Sequence, residues 1–170
     1  MYKRQIKYFA PLCGAEKNNN YKKGVIFNIS SLSGKIGMPG LGAYTASKHG
    51  LEGLSQSLRR ELLRYGVDVV IIGPGPIKSE IFNKVDKKFL ESLKKSDYAN
   101  AAKLIPKRNK NALKIAFPAI EVGKLIFNAL HNPNRKTRYT ITPNKMMYWT
   151  VPMTISDRML DRMIQKRSGF

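Results

Sequence analysis

Tyr44 and Lys48 bracket the run Tyr44-Thr45-Ala46-Ser47-Lys48, an i, i+4 spacing that sets both side chains on one face of a helix. A free phenol has a pKa of about 10 and is a poor base at neutral pH. A cation held beside it favours the phenolate, so the pair could pass a proton to or from an alcohol oxygen. Alone, a Tyr-x-x-x-Lys pair recurs by chance, and an exposed Lys beside a packed Tyr is the plainer reading. Ser31 and the turn Pro74-Gly75 change the weighting, because each directly follows a short apolar run. A lone Ser31 would be a turn serine capping its loop. In an open parallel sheet, however, ligands bind outside the carboxyl ends of the strands, and Ser31, Tyr44 and Pro74-Gly75 would all converge there.

That convergence needs two strands and a helix. Gly24-Val25-Ile26-Phe27-Asn28-Ile29-Ser30 is an apolar run bounded by turn formers and reads as a buried parallel strand. A loop rich in Gly, Pro and Ser follows, from Ser31 to Gly42. From Ala43 to Tyr65 the pattern is helical: Leu51, Leu54, Ser55, Leu58 and Leu62 fall on one face, and Gly66 stands where a helix-terminating glycine belongs. Val67-Asp68-Val69-Val70-Ile71-Ile72 is a second buried strand, closed by Gly73-Pro74-Gly75-Pro76. Strand, helix and strand make a βαβ unit with an expected right-handed crossover.

Outside that unit the elements are plainer. Residues 1–24 read as an incomplete helix and a polar loop broken at Asn18-Asn19-Asn20. Residues 79–117 are Lys-rich without a clean long period and read as one or two short helices in a mobile segment. Pro118 to Leu130 is helical, with Pro118 near its first position, and Thr137 to Thr142 reads as a third strand. Met153 to Arg167 reads as one basic amphipathic helix, with Arg158, Arg162 and Lys166 on one face and Ile155, Met159, Met163 and Ile164 on another.

Taken together, Asn28-Ile29-Ser30-Ser31, the Gly-rich loop, Tyr44-Thr45-Ala46-Ser47-Lys48 and Pro74-Gly75-Pro76-Ile77-Lys78-Ser79 resemble the short-chain dehydrogenase/reductase family over roughly residues 24–82. The fold implied is α/β: a partial Rossmann-like, doubly wound parallel sheet, the C-terminal half with about three strands, plus C-terminal helices. The resemblance implies a domain over 24–143 with a substrate lid at 79–117, preceded by a helix-and-loop remnant at 1–23 and followed by a basic helical tail at 144–170. It also implies roles. Ser31 orients the substrate carbonyl or hydroxyl, Tyr44 is the acid/base, and Lys48 stabilises the phenolate and bonds the nicotinamide ribose. The backbone of Ile77 holds the carboxamide, with Pro74, Gly75 and Ser79 completing the cofactor wall; Ser79 stands where the family more often has Thr. The implied reaction is hydride transfer between NAD or NADP and a secondary alcohol or ketone.

The sequence also departs from the family. The Thr-Gly-x-x-x-Gly-x-Gly turn that cradles the pyrophosphate occurs nowhere before Ser31, and neither does an Asn-Asn-Ala-Gly-like segment. The family's catalytic helix Asn would fall near Arg4, and Asn18 to Asn20 come too late for it. The expectation is therefore an N-terminally truncated oxidoreductase that binds the cofactor weakly or not at all alone; an inactive remnant of the same fold is the alternative. Ile81, Phe82, Phe89, Leu90, Leu93, Tyr98, Leu104 and Ile105 would give the lid an apolar lining. The run Lys136-Thr137-Arg138-Tyr139 and the segment Asp157-Arg158-Met159-Leu160-Asp161 loosely resemble retinol- and steroid-dehydrogenase-like members, which tilts the substrate towards a lipophilic alcohol or ketone. Arg138 and its neighbours could equally contact only water.

Composition narrows the other classes. With 170 residues, 42% hydrophobic and 25% charged, the chain has the makings of one folded domain. A single cysteine, Cys13, excludes an intrachain disulfide framework, and His49 and His131 lack ligand spacing, so no metal is expected. The formal net charge is +20, from 31 Lys+Arg against 11 Asp+Glu. Such a field attracts polyanions, which makes a basic membrane- or nucleic-acid-binding protein the competing class. The excess is scattered and lacks the stacking aromatics of a nucleic-acid module, so nucleic acid is not an expected partner. No apolar run is long enough to span a bilayer and no signal peptide precedes the domain. A cytoplasmic protein is expected, with peripheral membrane contact open to the tail around Met146, Met147, Tyr148 and Trp149. Pairing into a homo-oligomer is expected through the 43–65 helix.

Overall fold

The computed structural model describes residues 2–15, 23–80 and 87–168. Its centre is the most apolar run in the chain. Strand β2 (Asp68–Pro74) is buried from Val69 onward and ends two residues later than the pattern predicts because Gly73 and Pro74 continue the extended backbone. It pairs in parallel with β1 (Val25–Ile29) on one side and with β3 (Arg138–Ile141) on the other, giving the order β1-β2-β3. The registers are Ile29 opposite Ile72 and Ile72 opposite Tyr139. The carboxyl ends of β1 and β2 are thus brought side by side.

Parallel strands require a crossover, and here it is helix α2 (Gly42–Leu62). Its inward stripe is the predicted one: Leu51, Ser55, Leu58 and Leu62 are buried and Leu54 is half-buried. A short 3₁₀ turn, Leu63–Tyr65, follows, and Gly66 closes it in the left-handed region with φ 69°, its N–H donating to Leu63 O. Leu58 and Leu62 join Val67 and Val69 in one apolar cluster, completed by Ala10 of the first helix, α1 (Tyr2–Leu12). The predicted break at Asn18 to Asn20 lies outside the described residues.

Beyond β2 the chain forms two helices, α3 (Lys87–Lys94) and α4 (Ala99–Ile115). The second is longer than the short segment predicted: strong helix formers on both sides carry it through Pro106. Leu90, Leu93, Leu104 and Ile105 are half-buried and Tyr98 is exposed; Ile81 and Phe82, two of the expected lid residues, lie outside the described residues, as does the side chain of Phe89. Arg108 of α4 donates to Pro39 O at 3.1 Å and so ties this segment to the loop that leads into α2. Helix α5 (Ala119–His131) starts one residue after Pro118. Its last carbonyls, Ala129 O and Leu130 O, accept from Arg135, which also pairs with Asp68 at the start of β2.

The tail is not the single helix expected. A π-helical turn, Met146–Thr150, runs into α6 (Val151–Thr154), the backbone turns extended at Ile155, and α7 (Asp157–Ser168) begins afresh. Ser156 causes the restart: its carbonyl accepts from both Met159 N and Leu160 N. Among the described residues no helix is long and apolar enough to cross a membrane.

Gly66 is a position where backbone conformation restricts the sequence, because its φ is positive. Gly66→Ala places a Cβ in the left-handed region and is expected to lower unfolding free energy by about 1–2 kcal/mol, read as a lower urea midpoint at unchanged slope.

Candidate active site

Tyr44, Lys48 and Glu52 follow one another at i, i+4 and i+8 along α2, so their side chains climb one side of the helix. Each lower rung meets the sheet. Lys48 Nζ donates to Ile29 O, the last carbonyl of β1, at 3.0 Å, and lies 5.8 Å from the centroid of the Tyr44 ring. Deeper still, Ser55 Oγ donates to Leu51 O at 2.6 Å and accepts from Asn28 Nδ2 of β1 at 2.8 Å. Tyr44 itself, near the start of the helix, is 42% exposed.

Ser31 lies just past β1, where Ser30 N still bonds across to Ile72 O at 2.7 Å. It is the N-cap of a 3₁₀ turn, Leu32–Gly34, and its Oγ accepts from Ser33 N at 3.2 Å. A serine hydroxyl has one proton and two lone pairs. The cap uses one lone pair and leaves the proton to donate. The turn packs tightly: a Cβ on Gly34 would meet Ser30 Oγ at 2.5 Å and Glu52 Oε1 at 2.9 Å.

An open cleft of about 290 Å³ gathers these groups. Ser31, Tyr44 and Lys48 line it together with Pro74, Gly75, Ile77 and Ser79, so every catalytic and cofactor-binding residue proposed from the sequence reaches one cleft, while among the described residues none of the expected apolar lid residues lines it. Ser30 lines it too, and its buried Oγ has no hydrogen-bond partner among the described residues. Gly75 is held by its N–H to Ile141 O at 2.8 Å, and a Cβ there would press on Thr142 Oγ1 at 2.9 Å. Ile77 forms an isolated parallel bridge with Phe117. The bonds of that bridge belong to its neighbours: Phe117 N to Pro76 O at 3.0 Å and Lys78 N to Phe117 O at 2.8 Å. The N–H and C=O of Ile77 are left with no partner among the described residues.

Arg138 does not face water, as one of the two sequence readings allowed. Its side chain is 16% exposed and pairs with the carboxylate of Glu52, which is 2% exposed. Neither residue was singled out from the sequence as belonging to the site.

A three-stranded parallel sheet with its polar groups at the carboxyl edge is a Rossmann-like α/β fold. A solved short chain dehydrogenase from Burkholderia cenocepacia J2315, in complex with NADP, has the same fold: its TM-score is 0.64 at 15% identity, over 96% of this chain and 54% of that one. The family model for short chain dehydrogenase matches residues 13–89. An NADPH-dependent 3-dehydrocapnine reductase from Ornithobacterium rhinotracheale is 38% identical over 155 residues, covering 91% of this chain and 54% of its own length. Human retinol dehydrogenase 16 is 43% identical over 70 residues, 41% of this chain and 21% of its own. The chain belongs to the short-chain dehydrogenase/reductase family and spans about half the length of that NADPH-dependent reductase.

Because the Ser31 turn has no room for a methyl group, Gly34→Ala is expected to cost about 1–3 kcal/mol. Thermal unfolding of the variant beside the parent measures it.

Proposed function

We propose that this chain carries the proton-transfer centre and the nicotinamide end of the cofactor site of an NADP(H)-dependent reductase, acting on a lipophilic secondary alcohol or ketone. The observation that carries the reading is that Ser31, Tyr44, Lys48 and Ile77 line a single cleft at the ends of β1 and β2.

The residues fit the cofactor's reactive end. A carboxamide offers one acceptor and one donor group, and Ile77, which lines this cleft, has an N–H and a C=O with no partner among the described residues. Lys48 commits one of its three ammonium protons to Ile29 O and keeps two for a ribose hydroxyl and the phenol oxygen. Pro74 and Gly75 form part of the wall, with no side chain at Gly75, and Ser79 lines it too. When bound, the nicotinamide supplies the hydride. The chain's own work is then positional and protonic. Ser31 donates its free proton to the substrate oxygen and fixes its orientation. Tyr44 gives a proton to that oxygen in reduction and takes it back in oxidation, while the Lys48 cation stabilises the negative charge left on the phenol.

NADP(H) is favoured over NAD(H) by the NADPH dependence of the 38%-identical reductase. An apolar substrate is favoured by the half-buried Leu90, Leu93, Leu104 and Ile105 of α3 and α4 and by the retinol dehydrogenase among the relatives.

NADPH binding and oxidation are measured on this chain and on a fusion to the N-terminal part of the 38%-identical reductase, with a series of apolar ketones. Binding strengthens in the fusion, and there Tyr44→Phe lowers turnover by about 10²–10⁴-fold while NADPH affinity stays within about threefold. Absence of turnover in both proteins, or full turnover without the phenol, overturns the reading.

A further inference from the structure

We propose that Arg138 is a positioning residue: gripped by Glu52, it fixes the Ser31 main chain relative to the helix that carries Tyr44 and Lys48. The importance of that spacing rests on the reductase reading; the clamp itself does not.

A guanidinium has five N–H donors in a rigid fork. Nε donates to Glu52 Oε2 at 3.2 Å and Nη2 to Glu52 Oε1 at 3.0 Å, a two-point grip on the carboxylate. Nη2 also donates to Ser31 O at 3.3 Å, and Nη1 to Thr140 Oγ1 at 2.6 Å. The flat face lies 4.1 Å from the centroid of the Trp149 ring. Four of the five donors are therefore committed. A second open cleft, about 330 Å³ between Lys136, Tyr139, Lys145 and Trp149, also includes Arg138, but its most buried cation is already spoken for, which argues against an anion site centred there.

What Arg138 joins is informative. Glu52 lies on the Tyr44–Lys48 side of α2, one i+4 step below Lys48. Arg138 opens β3 on the far side of the central strand. Ser31 O is the meeting point, because it also accepts Gly34 N at 3.1 Å and so starts the 3₁₀ turn that Ser31 Oγ caps by accepting Ser33 N. Both oxygens of Ser31 are thereby held, one by the turn alone and one by the turn and the clamp. Gly73 of β2 leaves the passage open, since a Cβ there would run into the guanidinium. Lysine carries its three donors on one nitrogen and lacks the planar fork, so it does not reproduce the two parallel bonds to the carboxylate together with the bond to the carbonyl.

Amide hydrogen exchange on this chain tests the clamp. In Arg138→Met, exchange at Gly34, Lys35 and Ile36 rises at least about tenfold, whereas the β2 amides from Val69 to Ile72 stay within about threefold of the parent. Arg138→Lys does not restore protection. Where Arg138→Met fails to fold, Glu52→Gln, which keeps size and shape, is read the same way. Unchanged exchange in the turn, an equal rise throughout β2, or rescue by lysine each overturns the proposal. In the reductase fusion, Arg138→Met lowers kcat while KM for NADPH stays within about threefold, and an unchanged kcat beside a loosened turn overturns the positioning role. Exchange is read without cofactor or substrate. A protein that never turns over therefore defeats the reductase reading and leaves the clamp standing, and the converse holds equally.

Discussion

Strand β2 is bonded along both flanks, to β1 and to β3, and its residues from Val69 to Pro74 are buried. A parallel strand so enclosed exists only with helices laid over the sheet, because its apolar side chains project from both faces. Helix α2 is both that cover and the connection from β1 to β2, so the chain has little freedom in where it runs. Leu51, Leu58 and Leu62 seat it on the sheet. Tyr44 and Lys48 occupy the end of the same helix, and the apolar packing several turns away thereby decides where the phenol and the ammonium stand.

Apolar packing alone tolerates sliding, and the polar rungs remove it. Lys48 to Ile29 O, Glu52 to Arg138 and Ser55 to Asn28 join the helix to the sheet at successive levels. The middle rung is the one with the highest stakes. Removing one partner of a buried ion pair costs about 3–5 kcal/mol, while replacing both by apolar residues is often neutral. Such a pair adds little to stability over an apolar alternative. What it adds is direction: a forked donor accepts few relative placements of helix, strand and turn.

The strand-helix-strand unit was legible because its signals are local. Two apolar runs, a helical stripe and Gly66 needed no knowledge of distant residues, and Ser31, Tyr44 and Lys48 followed from their places relative to those elements. Glu52 gave only a faint signal, an acidic residue inside the stripe of Leu51, Ser55 and Leu58. Its partner stands 86 positions along the chain, and no periodicity connects them. Ile77 was placed in the site by the family resemblance, but no local pattern foretells its bridge to Phe117. The two-part tail was missed for a different reason: Ile155, Met159 and Met163 keep helical spacing across a backbone that is not helical at Ile155.

The chain contains a single tryptophan, and the guanidinium of Arg138 lies over its ring. Indole emission is sensitive to a cation on its π-face, and no second indole masks the signal. The protein thus has a built-in optical reporter whose colour and intensity follow the contact between the tail and the sheet, without any attached label.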